Sequence, residues 1–537
     1  MARRLARVPA VVWAATVAVG ALAAAWSVVL PLAEGPDEPS HLGLVLHLAD
    51  GGGYPDHDGL ARSVAVVRLC TTYAAAVRVC PVPGEVVTAD AVRTRGVDDA
   101  PPRADRPAWN DDGGDRPTAA RNQMSQHPPL YYAALAAVLR GVRALAGGPL
   151  SLDRELALLR LVNAVLVAPL PLLAWATARR AGAGESVGRT AAVLLVGLPM
   201  LTATGGVLNN DDLLTLLGAV ATLLLVTVSR GDGSRRTALA LGAVLAAALL
   251  TKAFAVVFLP VVPLAYWVGS SPGPRRWQRV AAGTGWVALP VLVLPGVWYL
   301  RAVARTGSPT PSADADRYTS ALAPPGFEAD PLAFADRFVG LFAERFWGSF
   351  GWYTVRLPGW ATVVLSVAAA VLVVGGLLAA TRAGPGSGRV RRGVLAVLLA
   401  PAVLLVVLTA LRAWSLHARS GQYPFIQGRY VFAGVVGLAV VAALGWVRSV
   451  PGRWSLATLS VLVAGVQVWA LSLALVGYWE GSGPRGRLAS LGAWSGWPSG
   501  VAIALVVAGF ASLVGLLVVA GRASGPAVGA PVRSAAP

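Results

Sequence analysis

The sequence predicts an all-α polytopic membrane protein with about twelve transmembrane helices and a large first extracytoplasmic loop. Of its 537 residues, 55% are hydrophobic and only 13% are charged, which is too apolar for an ordinary soluble domain. Apolar runs of about 20 residues, the length that crosses a bilayer, recur from Val11 almost to the C-terminus. Arginines cluster in the short connectors between these runs, so the positive-inside bias explains the net charge of +18 without a nucleic-acid partner.

The N-terminal element is predicted to be a signal anchor. A basic segment at 1–7 precedes an apolar stretch at 10–33, which is longer than the core of a usual secretory signal peptide. No clear small-residue cleavage site precedes the polar turn that starts at Glu34. Residues 1–33 are therefore assigned to a cytoplasmic segment and the first transmembrane helix, with a cleaved signal peptide as the alternative.

The positive-inside bias predicts the sidedness of the connectors. Both termini and five arginine-rich connectors should be cytoplasmic, and these connectors are 179–189, 230–236, 275–279, 382–392 and 448–453. Helices 2–7 are expected within 156–303, near 156–178, 190–208, 212–229, 237–251, 253–269 and 280–303. Helices 8–12 are expected within 358–520, near 358–380, 393–411, 430–447, 455–476 and 499–520. Residues 521–537 should form a disordered cytoplasmic tail.

Two long polar segments should then lie outside the cytoplasm, at 34–155 and 304–357. The first holds most of the acidic residues of the chain. Its apolar run at 130–145 carries Arg140 and Arg143 and follows two prolines, so we expect a helix in the plane of the outer interface. If this run crossed the membrane, the helix count would be thirteen and the 179–189 connector would break the charge rule.

The two cysteines, Cys70 and Cys80, both fall in the first polar segment. An oxidising compartment would allow a disulfide that closes a short loop. We expect this bridge, and two buried free thiols are the alternative.

The segment from Glu34 to His41 follows the first span and carries candidate catalytic groups. Asp37 and Glu38 are carboxylates at the membrane surface, where one could accept a proton from an acceptor hydroxyl as it attacks a sugar carbon. Asp37 is the first choice and Glu38 the second. His41 lies one turn further along a predicted helix and could join the same site. The structural alternative is that either acid caps this helix.

Five further candidates for substrate binding fall on the same predicted face. His127 and Tyr131 lie on either side of Pro128-Pro129, where the apolar run of the first polar segment begins. Lys252, the single lysine of the chain, and Arg429, followed by Tyr430, lie at the external ends of predicted spans. A cation there could hold a lipid phosphate, and the planar fork of arginine can bind two oxygens at once. Snorkelling of Lys252 and Arg429 to the interface is the structural alternative.

Asp211 and Asp212 form a third candidate, in a tight external hairpin after Asn209 and Asn210. Charge so near hydrocarbon is costly unless it is used. The two carboxylates could bind a divalent cation such as Mg²⁺ or Mn²⁺ through oxygen ligands. Simple helix capping is the alternative.

These motifs resemble the GT-C superfamily of integral-membrane glycosyltransferases, which use polyprenyl-phosphate-linked sugars and include mannosyltransferases and aminoarabinose transferases. The resemblance rests on Asp37-Glu38 after the first span, on 127–132 before Arg160, and on 209–212 with Lys252 downstream. Residues 36–41 and 427–430 are most similar to a bacterial branch of unknown function. The resemblance implies inverting transfer with Asp37 as the base, in a bacterial plasma membrane, to an envelope glycan or lipid-linked acceptor.

Two other classes compete with a glycosyltransferase. Twelve spans with both ends inside are also common in transporters and flippases, but these place ionisable groups near the bilayer midplane and often show related halves. The predicted spans carry little charge in their centres and show no evident repeat. A noncatalytic scaffold for envelope assembly, in which the acidic pairs only cap helices, is the third class.

Overall fold

The computed structural model describes residues 8–78, 80, 91–114, 116–312, 323–381 and 390–524. It is a helical bundle with a small polar layer at one end. By length and composition, eight of the described helices could cross a membrane, or ten if each of two bent helix pairs counts as one span. The chain is therefore a multi-pass membrane protein.

The helices before residue 230 form the first half of the bundle and part of the polar layer. They are α1 (Ala10–Val29), α2 (Glu38–Ala49), α3 (Val64–Tyr73), α4 (Leu130–Ala146), α5 (Leu152–Val167), α6 (Leu170–Ala181), α7 (Glu185–Val196), α8 (Pro199–Gly205) and α9 (Asp211–Ser229). Helices α5 and α6 together make one candidate span, Leu152–Ala181.

The second half contains longer helices. They are α10 (Arg235–Leu249), α11 (Val261–Gly269), α12 (Arg276–Val293), α13 (Pro295–Thr306), α14 (Pro331–Trp347), α15 (Gly359–Thr381), α16 (Arg392–Ser420), α17 (Val435–Ser449), α18 (Ser455–Tyr478), α19 (Gly483–Trp494) and α20 (Ser499–Ser524). Two 3₁₀ segments, Ala253–Phe258 and Gly428–Gly434, precede α11 and α17.

Prolines account for the two bent pairs. Pro199 begins α8, which turns 65° away from α7, and Pro295 begins α13, which turns 56° away from α12. Proline has no N–H to donate to the preceding turn, so a continuous helix is broken there. Each break leaves one half-helix free to point in a new direction at membrane depth.

Close packing of small residues holds the bundle together. Helix α1 lies in its centre and packs against α5, α7, α8 and α20. A Cβ on Gly437 of α17 would come within 2.0 Å of the Leu398 carbonyl oxygen on α16. Only glycine permits this approach, which is how helices associate in lipid without a hydrophobic driving force between them.

The first polar segment folds over the end of the bundle. Strand β1 (Ala61–Ser63) pairs antiparallel with β2 (Pro117–Arg121), which joins the two ends of the segment. A disulfide joins Cys70 and Cys80, whose Cα atoms are 5.8 Å apart. A second hairpin, β3 (Ser349–Phe350) with β4 (Val355–Arg356), closes the polar layer from the 304–357 segment.

The structure gives the arginines of α4 specific partners. Arg143 donates to Glu155 at 2.7 Å, and Arg140 donates to the carbonyls at the end of α2. Helix α4 is not among the candidate spans of the described chain. Its in-plane orientation stays a prediction.

The predicted total of twelve spans is supported only in part. Helix α10 and the 253–269 element fall short of the length that a span needs, although both occupy positions where the sequence predicts spans. Most of the 382–392 connector and of the 521–537 tail lies outside the described residues.

Candidate active site

Glu38 is engaged in a structural contact. Its side chain is fully buried at the start of α2. Arg160 of α5 donates from Nε to Oε1 at 2.7 Å and from Nη2 to Oε2 at 2.5 Å. The backbone N–H groups of Leu208 and Gly35 donate to the same two oxygens. Arg160 also donates to the carbonyls of Ser27, Leu30 and Pro31, in the last turn of α1 and just after it. This geometry favours a structural role for Glu38, and its catalytic role stays a prediction.

Asp37, the preceding residue, is arranged differently. It stands at the N-cap position of α2, yet its carboxylate makes no capping hydrogen bond, so capping does not explain its presence. Gln123 donates from Nε2 to Oδ1 at 3.0 Å and is the one side-chain donor to this carboxylate among the described residues. Asp37 also interacts electrostatically with Lys252 and Arg429. Its carboxylate therefore keeps capacity to accept a proton beside two cations.

The second acidic pair divides in the same way. Asp212 is buried, and its Oδ2 accepts from the side-chain amides of Asn163 at 2.9 Å and Asn209 at 3.0 Å. Asn163 in turn accepts from the Tyr131 hydroxyl at 2.9 Å. Asp212 and Tyr131 thus belong to a hydrogen-bonded core that joins α4, α5 and α9. This contact favours a structural role for the Tyr131 hydroxyl, and a substrate contact by Tyr131 stays a prediction.

Asp211 is the centre of a charged cluster. Lys252 Nζ donates to Oδ1 at 2.5 Å, and Arg429 Nε donates to Oδ2 at 3.1 Å. All three side chains are at least nine-tenths buried. The Lys252 ammonium also lies 4.7 Å from the ring centre of Tyr430. In this group of three, two cations face one carboxylate, and we call it the Asp211 cluster.

His41 joins the surroundings of the Asp211 cluster. Its Nδ1 lies 3.0 Å from the Tyr132 hydroxyl, and the two rings stack. Burial, together with His127 and Lys252 nearby, lowers the pKa of His41 well below its ordinary value of 6.5. The ring is therefore uncharged near neutral pH and acts as a hydrogen-bonding group.

A cavity with a volume of about 870 Å³ lies beside the Asp211 cluster, and both His127 and Lys252 line it. Burial, with Lys252 close by, lowers the pKa of His127 to about 3. Apolar residues of the 253–258 segment, of α12 and of α16 line much of this cavity, among them Val256, Val291 and Leu408, and the acids Asp56 and Asp58 also belong to its lining. The lining is therefore mainly apolar, with charged side chains among it.

Arg412 also lines this cavity, as do Arg301 and Arg305. Arg412 donates to Ser312 at 3.0 Å, and its guanidinium stacks 4.6 Å from the ring centre of Phe425. Phe425 has a φ of 59°, a strained value for a bulky residue. The sequence reading missed Arg412, which is one of many arginines near predicted interfaces.

The expected divalent-cation site does not fit the residues present. Both oxygens of Asp211 face cations, and Asp212 is bound by amides. Within the described ranges there is no group of three or more His, Cys, Asp or Glu side chains that could hold a metal ion. A metal would have to displace Lys252 and Arg429 from Asp211.

The sequence contains a signal for Arg160 but none for Gln123, two residues whose side chains contact the first acidic pair. Arg160 is a charge inside a predicted apolar span, which normally marks a paired and important group, so it could have been found. Gln123 lies in a polar stretch with no periodicity, and nothing in the sequence marked it as a partner of Asp37.

Comparison with known proteins identifies a family by sequence and a low structural similarity to solved membrane proteins. Residues 21–438 match the family model described as "Predicted membrane protein (DUF2142)". Among solved structures, the chain is similar to ArnT from Cupriavidus metallidurans bound to undecaprenyl phosphate, with 15% identity over 74% of this chain and 67% of that chain and a TM-score of 0.38. The apo form of ArnT from the same organism gives the same identity and coverage with a TM-score of 0.36. No curated protein matches.

At these identities and TM-scores, activity has to be inferred from the site of this chain. The family match covers well over half of the chain. It confirms the predicted resemblance to a membrane-protein branch of unknown function. The chain belongs to the family of predicted membrane proteins designated DUF2142.

Proposed function

We propose that this protein is an inverting membrane glycosyltransferase. It moves a sugar from a polyprenyl-phosphate donor to a cell-envelope glycan or lipid-linked acceptor, on the extracytoplasmic face of the bacterial plasma membrane. One observation carries the proposal: Asp37, a carboxylate with unused acceptor capacity, interacts with Lys252 and Arg429, and Lys252 lines a cavity whose walls are mainly apolar.

The cavity suits the two parts of such a donor. A prenyl chain needs an apolar surface, which the walls at Val256, Val291 and Leu408 supply. A phosphate needs donors that carry positive charge, and Lys252 and Arg412 both line the cavity. Lys252 and Arg429 each carry N–H groups beyond those that bind Asp211, so the Asp211 cluster can still donate to an anion.

In the proposed reaction, the acceptor hydroxyl attacks the anomeric carbon on the face opposite the phosphate. Asp37 accepts the hydroxyl proton as the new carbon–oxygen bond forms. The bond between the anomeric carbon and the phosphate oxygen breaks, and the leaving polyprenyl phosphate takes the electron pair. Lys252 and Arg429 stabilise the charge that develops on this phosphate. No metal is needed at Asp211, because two side-chain cations take its place.

The sidedness of the site is part of the proposal. The arginine-rich connectors predict that Asp37, His127, Asp211, Lys252 and Arg429 lie on the extracytoplasmic side. The structure brings the same residues into electrostatic contact around His41 and Lys252. One shared face is what a lipid-linked donor and an envelope acceptor would require.

Deletion of the gene tests the proposal. We expect a polyprenyl-phosphate sugar to accumulate and an envelope glycan to lose the corresponding residue. The wild-type gene and a matched Asp105→Asn variant, altered at an exposed acid of the first polar segment, should restore the glycan, whereas Asp37→Asn should not. Unchanged envelope glycans in the deletion strain would overturn the proposal. Uptake of an unmodified precursor into proteoliposomes, without any glycosyl product, would favour a transporter instead.

A further inference from the structure

The hairpin between β3 and β4 contains a strained tyrosine. Tyr353 has a φ of 66°, in the left-handed region that a bulky side chain rarely adopts. In the described parts of the chain, Ala33, Asp37 and Phe425 are the other non-glycine residues with positive φ. Such strain costs roughly 1–3 kcal/mol and persists where surrounding contacts hold it, most often at functional sites.

Glu34 holds this turn in place. Its carboxylate is fully buried and accepts from the backbone N–H groups of Ala75 at 2.7 Å and Ala76 at 2.9 Å. The other oxygen accepts from Trp352 N–H at 3.3 Å and from the Thr354 hydroxyl at 3.4 Å, on either side of Tyr353. Glu34 therefore ties the turn to the first polar segment, three residues before Asp37.

In this strained conformation, the Tyr353 hydroxyl lies within hydrogen-bond distance of Arg429. A hydroxyl has one hydrogen, and Tyr353 donates it to Gln427 Oε1 at 2.6 Å. The hydroxyl oxygen is then left to accept from Arg429 Nη1, at 2.9 Å. With Nε bound to Asp211, the guanidinium is fixed on two sides. Its Nη2 has no protein acceptor among the residues that the structure describes, so it can donate to a ligand.

We propose that Tyr353 is a positioning residue that holds the Arg429 guanidinium in place to bind the donor phosphate. This inference rests on the proposed function and refines it, since it names a residue that acts only through Arg429. The resulting phosphate site joins the start of α9, at Asp211, to the 304–357 segment, at Tyr353. The sequence predicted no functional residue in that segment.

Binding of undecaprenyl phosphate to the full-length purified protein tests this inference. We expect Tyr353→Phe to weaken binding about tenfold, because a hydrogen bond to a charged group is lost. In an Arg429→Gln background, the same substitution should change the affinity less than about twofold. Tyr266→Phe is the matched control, since this buried hydroxyl has no hydrogen-bond partner within the described ranges, and it should leave binding unchanged.

Two results would overturn the positioning role. One is wild-type affinity in folded Tyr353→Phe. The other is an equal loss in the wild-type and Arg429→Gln backgrounds, which would show that Tyr353 acts independently. If Tyr353→Phe does not fold, Gln427→Leu serves instead: it leaves Tyr353 in place, should weaken binding about threefold through the same contact, and would contradict the inference if binding were unchanged.

The same measurement separates this inference from the proposed function. If Tyr353→Phe weakens lipid binding only when Arg429 is present, but the protein transfers no sugar, the phosphate site would be supported and the transferase contradicted. Absence of undecaprenyl phosphate binding by the wild type would overturn both.

Discussion

Asp37-Glu38 and Asp211-Asp212 are both adjacent carboxylates near the start of a helix, but the members of each pair have different surroundings. Glu38 and Asp212 are held by Arg160 and by two asparagine amides inside the protein. Asp37 and Asp211 instead interact with Lys252 and Arg429. Consecutive residues on a helix point about 100° apart, so one acid of a pair can support the fold while the other serves the site.

The largest expected difference in stability is the one between substitutions at Glu38 and at Asp37. Glu38→Gln should destabilise the protein by about 3–5 kcal/mol, because it leaves the Arg160 charge buried without its partner. Asp37→Asn should change the free energy of unfolding by less than about 0.5 kcal/mol, since asparagine also tolerates the left-handed region. Reversible unfolding of the detergent-solubilised protein measures both. Equal destabilisation by the two variants would break the distinction between Asp37 and Glu38.

For the second pair, we expect a smaller loss of stability on substitution of Asp211, which a bound lipid phosphate can offset. Asp211→Asn should destabilise the protein by about 1.5–3 kcal/mol, because Lys252 and Arg429 lose the anion between them. Undecaprenyl phosphate should raise the melting temperature of this variant more than that of the wild type, since its phosphate replaces the missing charge.

Asp212→Asn is the matched control for this prediction. Its partners are uncharged amides, so the lipid phosphate should shift its melting temperature no more than that of the wild type. An equal response of both variants would show that the two acids do not differ in role.

The low pKa of His127 predicts that the stability of the protein depends on pH. The pKa of His127 is about 3 in the folded protein, so between pH 3 and the ordinary value of 6.5 the unfolded state binds more protons. Its stabilising contribution is therefore complete above pH 6.5 and is lost as the pH falls below it, by up to about 1.4 kcal/mol per pH unit. Unfolding of His127→Gln at about pH 7 and pH 5 should show a shallower loss than the wild type. An identical slope would place the His127 ring in water.

The sequence predicted the parts of the molecule that follow from apolar length and residue chemistry. Runs of apolar residues identified the multi-pass helical bundle, and Asp37, His41, Lys252 and Arg429 were singled out as polar groups near predicted membrane ends. The structure brings these residues together, but their shared extracytoplasmic face rests on the charge bias and stays a prediction.

The remaining features depend on tertiary contacts that no local pattern encodes. Glu38 and Asp37 cannot be told apart without knowing that Arg160 lies beside α2. Tyr353 and Gln123 reach the site through hairpins and loops that join distant parts of the chain. The span count was predicted less well, because proline breaks and short helices make length an uncertain guide.

The most direct test compares donor binding with sugar transfer in purified Asp37→Asn. The protein would be reconstituted with a labelled polyprenyl-phosphate sugar and membrane glycolipids from the deletion strain, and followed through one turnover. We predict that the variant binds the donor with nearly wild-type affinity but transfers the sugar at least about 100-fold more slowly, since the base is removed and the phosphate site is intact. Transfer at the wild-type rate would contradict the role of Asp37 and the account built on it.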